Sequence, residues 1–169
     1  MRFTKKDFYF SVITGCITGF SAWRIFEYLA ITEFMGYSFA WFLLAVPVLW
    51  ILGVNFGYFL GRWLKFFNQF GKFAAIGFTN AAVDFGVLNL LIANTDISSG
   101  GWYSVFKAIS FISAIIPSYF WNKYWAFSQN QDSSQGDALT SSGGGGFEFA
   151  KFMSGAIVSI FINTGIASL

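Results

Sequence analysis

The stretch FGKFAAIGFTNAAVDFGVLNLLIAN, residues 70–94, holds a single carboxylate, Asp84, inside an apolar run of the length that crosses a bilayer core. Lys72 stands near one end and Asp84 near the middle, so a spanning helix sets the acid close to the membrane midplane. A charge at that depth costs roughly 2.5–3.5 kcal/mol on insertion scales, and such a residue marks a candidate site by default. Asn80 precedes Asp84 by four residues and Ile76 by eight, which puts the three on one helical face. The polar pair therefore faces protein or a cavity, not lipid.

Composition places the whole chain around that stretch. Of 169 residues, 56% are apolar, 22% aromatic and 11% charged, against roughly 25% charged in soluble domains, so the fold class is an all-α, multi-pass integral membrane helix bundle. The net charge of +2 is too small to point to nucleic acid. Cys16 is the only cysteine and histidine is absent, which removes an internal disulfide, most zinc sites and the common Ser-His and Cys-His arrangements. Asp84 has no second carboxylate or metal constellation beside it in the membrane, so neither an enzyme nor a cofactor is expected.

Five transmembrane helices are expected. The first covers about 8–31 and follows Arg2, Lys5 and Lys6; it has no convincing cleavage site after it and reads as retained. Arg24 and Glu27 can pair along it, and Gly15 and Gly19 permit a close helix contact. The second, 36–60, carries Gly53, Gly57 and Gly61 at four-residue steps, with Pro47 and Asn55 inside it, and is expected to pack on the first. The third is the 70–94 run. A turn over 95–101, TDISSGG, leads to the fourth helix, 102–121, where Lys107, Ser110, Ala114, Ser118 and Asn122 form one small and polar stripe interrupted by Pro117. Residues 128–147 read as a flexible Ser/Gly-rich loop, and 149–169 as the fifth helix.

The cations give a topology. Arg2, Lys5 and Lys6, then Arg62, Lys65 and Lys72, then Lys123 and Lys151 all fall on one side if every segment spans, so the bias of cytoplasmic loops towards Lys and Arg places the N-terminus in the cytoplasm. This divides the chain into an N-terminal transmembrane hairpin, 1–65, and a second transmembrane domain, 66–169. Laying Phe149 on Phe70 also brings Lys151 onto Lys72, Ser159 onto Asn80 and Asn163 onto Asp84, which is either a parallel repeat or a chance match between apolar sequences.

The run FGKFAAIGFTNAAVDFGVLNLL together with FISAIIPSYFWNKYWAF resembles the GtrA-like membrane proteins over about residues 70–169. In that family one helix carries an Asn and an Asp, and the next ends in a Ser-Phe-x-x-Asn-Lys/Arg-x-Trp-x-Phe pattern, met here by Ser118, Asn122, Lys123, Trp125 and Phe127. The resemblance implies a small membrane protein of cell-surface polysaccharide synthesis that moves a polyprenyl-phosphate-linked sugar across the cytoplasmic membrane. It also implies a fourth family helix beyond residue 169, so the chain reads as a fragment or as one whose last helix another subunit supplies.

A lipid-linked sugar phosphate needs cations near the headgroup and a polar path through the core. Lys72, Lys123 and Lys151 are candidates for the phosphate, Asn122 for a hydrogen bond, and Trp121 or Trp125 for a sugar-stacking face. Asn80, Asp84, Lys107 and Ser118 continue the path, with Lys107 on the outer side and able to reach Asp84. Plainer readings stand beside these. An Asp–Lys pair can simply lock two helices, Lys123 and Lys151 can be topology determinants, and the tryptophans can be interface anchors. Expected partners are a lipid-linked sugar phosphate, membrane lipids, a glycosyltransferase and other copies of the chain. Alternative functions are a non-catalytic subunit that positions a glycosyltransferase, and a small proton-coupled exporter using Asp84.

Overall fold

The computed structural model describes residues 3–126 apart from Thr32, Met35 and Lys65. The expected loop at 128–147, the fifth helix with Lys151, the repeat pairing and Phe127 lie outside the described residues.

Helix α1, Lys5–Tyr28, starts three residues before the apolar run because Thr4 and Asp7 close a capping box: each side chain accepts from the other's backbone N–H. A short antiparallel hairpin follows, β1 Glu33–Phe34 and β2 Tyr37–Ser38, with Gly36 at positive φ in its turn. This corrects the expected start of the second helix at residue 36. A 3-10 turn, Phe39–Trp41, leads into α2, Phe42–Leu60, and α3 is Phe67–Thr95. The TDISSGG connection is the expected turn: Asp96 caps α3 in the left-handed conformation and Gly100, also at positive φ, opens α4, Gly100–Trp121. At Asn122 the backbone widens into a π turn, Asn122–Ala126, that rolls Trp125 inward.

Neighbouring helices in sequence run antiparallel. The bundle centres on α1, α2 and α3, which all touch one another, while α4 packs along α3 and its π turn reaches back to α1. Glycines set the two closest approaches. A methyl on Gly15 would collide with Pro47, and one on Gly19 with the Phe42 carbonyl, so α1 lies on α2 through these two positions, as their spacing predicts. The glycine row of α2 faces elsewhere. A methyl on Gly57 would stand 2.9 Å from the Phe67 carbonyl oxygen, and one on Gly71 3.2 Å from that of Gly53, so the row receives α3 and not α1.

A polar seam joins α1 to α3. Thr18 donates to Thr79 Oγ1 at 2.8 Å, and Thr79 in turn donates to the Ala75 carbonyl of its own helix, while Ser21 packs on Gly86. Ser11, Thr14 and Thr18 are all buried along it.

Among the described residues, three stretches are long and apolar enough to cross a membrane: Phe39–Leu60, Phe67–Thr95 and Gly100–Ala126. Helix α1 falls short of that measure because charges at both ends and the Ser/Thr seam dilute its apolar run. The chain is a multi-pass helical membrane protein, with three such spans described where the sequence leads one to expect five.

Candidate functional site

Antiparallel packing brings the polar stripe of α4 against the Asn80–Asp84 face of α3. Lys107 Nζ lies 2.7 Å from Asp84 Oδ2, and Ser110 donates to Asp84 Oδ1 at 2.6 Å while also donating to the Lys107 carbonyl. The ammonium also sits over the Phe85 ring, 5.3 Å from its centroid. Both charges are largely withdrawn from solvent, with side-chain exposures of 14% for Asp84 and 9% for Lys107, so the carboxylate keeps a small open face. Lys107, Ser110, Ala114 and Ser118 are all buried, as a stripe directed at a neighbouring helix requires.

Towards the other end of α4, Asn122 donates through Nδ2 to the Ser118 carbonyl at 2.9 Å. Its Oδ1 is buried and meets no donor among the described residues, and the same holds for Asn80 Oδ1. This alters the role expected of Asn122, whose amide N–H is engaged while its oxygen is left to accept. Lys123 rests against Tyr119, with Nζ 3.5 Å from the hydroxyl.

Trp125 does not present a face to a ligand. It is fully buried, stacks on Phe10 at 5.3 Å, and donates from Nε1 to Asp7 Oδ1 at 3.0 Å. That contact corrects both the sugar-platform and the interface-anchor readings. Lys72 is likewise no headgroup ligand: it is 3% exposed and lies 2.7 Å from Asp7 Oδ1. Trp121 is half-buried beside this cluster.

Asp7 is the residue that reading the sequence misses. Its two oxygens accept from the Thr4 N–H at 2.9 Å, the Thr4 hydroxyl at 2.8 Å, the Tyr58 hydroxyl at 3.0 Å, Lys72 and Trp125. One carboxylate thus ties α1, α2, α3 and the π turn together. It precedes the apolar run and lies outside the three spans. Burial by itself would raise the Asp7 carboxyl, but the Lys72 ammonium and the Thr4 donors outweigh it and hold the group below its ordinary value. The signal that could have found it is Thr4-x-x-Asp7 ahead of an apolar run, a capping box legible in sequence.

The candidate residues therefore separate. Asp84 and Lys107 form one cluster with Ser110; Ser118 and Asn122 form another, about 17–22 Å along α4 from Lys107 at 1.5 Å per residue; Trp125 belongs to the Asp7 cluster. Asn80 lies between the first two, one turn from Asp84. Two cavities of about 400 Å³, one between α1 and α3 and one between α2 and α3, are lined by none of Asn80, Asp84, Lys107, Ser118, Asn122, Lys123 and Trp125.

Among the described residues, the charged ends of the bundle differ in sign. Lys5, Lys6, Arg62 and Lys123 lie at the Asp7 end, whereas the exposed acids Glu27, Glu33 and Asp96 lie at the opposite end. No curated protein and no solved structure matches the chain. The GtrA/DPMS transmembrane domain matches residues 72–169, more than half of the sequence, and the match takes in every candidate residue that the sequence suggests. The chain belongs to this family, whose members are membrane proteins of glycan biosynthesis.

Proposed function

We propose that the protein moves, or helps to move, a polyprenyl-phosphate-linked sugar across the cytoplasmic membrane for cell-surface polysaccharide synthesis, without itself catalysing a reaction. The observation that carries this reading is the Asp84–Lys107–Ser110 cluster held between two apolar spans inside the family-matched region. Ionisable groups at membrane depth are expensive and mark ion or substrate pathways.

In this reading the cationic end of the bundle is cytoplasmic, with α1 and an additional helix completing five crossings, and attracts the phosphate of the lipid head. Sugar hydroxyls are hydrogen-bond donors, and the buried oxygens of Asn122 and Asn80, which meet no donor among the described residues, are acceptors at two levels along the α3–α4 face. Lys107 then offers a cation deeper in the span, and Asp84 holds it in place while the path is empty.

The test is surface-glycan modification in cells carrying the full-length gene with Asp84→Asn, with membrane insertion measured in parallel. The expected outcome is loss of modification with normal insertion. A second reading rests on the carboxylate being already satisfied by Lys107 and Ser110: the pair locks two helices of a subunit that positions a glycosyltransferase. Unchanged modification in Asp84→Asn together with co-purification of a transferase would establish that role and remove Asp84 from any transport path.

A further inference from the structure

We infer that the groove between α2 and α3 seats the isoprenoid tail of the same lipid-linked sugar phosphate, an inference that rests on the function proposed above. The groove encloses about 400 Å³, with Gly53, Gly57 and Gly71 along its floor and Trp50, Phe56 and Phe78 on its walls.

Its hollowness follows from the glycines. At Gly57 and Gly71 the two helices meet backbone to backbone, where an added methyl would press on Phe67 or Gly53 carbonyls. Larger side chains are thereby displaced to the flanks, and the trough between them stays open. Gly53 is different, because a methyl there would touch nothing within 4 Å; the side chain it lacks is part of the empty space. Phe56 and Phe78 are 59% and 65% exposed, so the trough opens outward on a face that the membrane-spanning helices present to lipid.

Charge decides the occupant. The groove ends at Leu60 and Phe67, and the turn joining those residues carries Arg62, exposed and stacked over Phe59. Among the described residues this is the end that also holds Lys5, Lys6, Lys123 and Asn122 Oδ1, while the exposed acids are at the far end. A ligand that fits is a long apolar chain ending in an anion. Rigid aromatic walls with gaps at four-residue steps, about 6 Å apart, suit a methyl-branched chain. Tail in the groove and head at the cationic end place one lipid along the bundle, with its sugar at the mouth of the α3–α4 face.

The experiment uses the full-length protein in phosphatidylcholine nanodiscs and a polyprenyl phosphate bearing a diazirine in its tail, with adducts mapped by peptide mass spectrometry. Adducts are expected on groove residues such as Phe70, Ala74 and Phe78, and unlabelled polyprenyl phosphate should compete them away where phosphatidylglycerol does not. Gly53→Leu, whose Cβ meets nothing within 4 Å and whose side chain extends into the trough, should cut these adducts about tenfold. Gly77→Leu, at a position where a Cβ likewise meets nothing within 4 Å but which does not line the groove, should leave them unchanged. Circular dichroism checks that both variants fold, and the wild-type adduct map with its two competitors tests the groove without either.

Three results overturn the inference: adducts indifferent to Gly53→Leu, equal competition by phosphatidylglycerol, which makes the groove a berth for bulk lipid, or a change of oligomeric state in Gly53→Leu, which makes it a contact between copies. In each of these the translocation reading survives if glycan modification still depends on Asp84. Absence of adducts anywhere on the protein defeats both.

Discussion

The molecule contains two buried Asp–Lys pairs with the same 2.7 Å separation and different surroundings. Asp7 and Lys72 are 1% and 3% exposed, and the carboxylate accepts from groups on three helices and the π turn. Asp84 and Lys107 are 14% and 9% exposed and join two helices, with Ser110 as the one further donor among the described residues. Distance therefore says little about what an ion pair does. A carboxylate with every lone pair engaged by scaffold can only be structural, whereas one with an open face can exchange partners. The two pairs also stand differently to the matched region: Asp84 and Lys107 both lie within it, whereas Asp7 precedes it and reaches across its edge to Lys72 and Trp125.

The largest effect is expected at the closed pair. Asp7→Ala leaves the Lys72 ammonium buried without its counter-charge, and the cost should be about 3–5 kcal/mol in denaturant unfolding of the detergent-solubilised protein. Replacing both partners together, as Asp7→Leu with Lys72→Met, should recover most of that loss, because a well-packed apolar pair often matches a buried ion pair. Asp84→Asn should cost less, since the amide oxygen still accepts from Lys107 and Ser110. Equal costs at the two sites would dissolve the distinction between them.

Protonation removes the same interaction by degrees. The folded pKa of Asp7 lies below its ordinary value of 3.8, so the folded state binds its proton less readily than the unfolded state does. Its contribution to stability is complete above that ordinary value and is lost as pH falls through the folded value. Melting temperature followed down through the carboxylate range should fall more steeply for wild type than for Asp7→Asn. Parallel profiles would mean that Asp7 is not the group being titrated.

The helical spans were legible because their signal is one-dimensional: 25 residues with one acid, or a stripe at three- and four-residue steps, specify a helix and the face it buries. The Asp84–Lys107 contact was legible for the same reason, each charge being isolated in apolar sequence and in need of a partner. Asp7 was hidden by its company. Beside Lys5 and Lys6 it looks like ordinary charge ahead of a helix, and its partners Tyr58, Lys72 and Trp125 are separated from it by 51, 65 and 118 positions. Trp125 was misread because its sequence environment, Trp121 to Phe127, is that of an interfacial belt; only the π turn rolls it inward. The facing of the α2 glycines was equally invisible, since a glycine row shows that a helix is approached closely and not which helix approaches.

The smallest effect sharpens the comparison most. Ser110→Ala deletes one donor to Asp84 and leaves the charged partner Lys107 in place. Loss of stability should therefore stay within about 1 kcal/mol, far below the Asp7→Ala cost in the same assay. Function should respond more than stability does. Without the Ser110 hydroxyl no further donor among the described residues fixes the rotamer of Asp84 relative to Lys107, so surface-glycan modification should fall several-fold at unchanged protein level, and Ser110→Thr, which keeps the hydroxyl, should restore most of it. If Ser110→Ala instead destabilises the fold as much as Asp7→Ala, the open face of Asp84 is of no consequence and the two pairs are both locks.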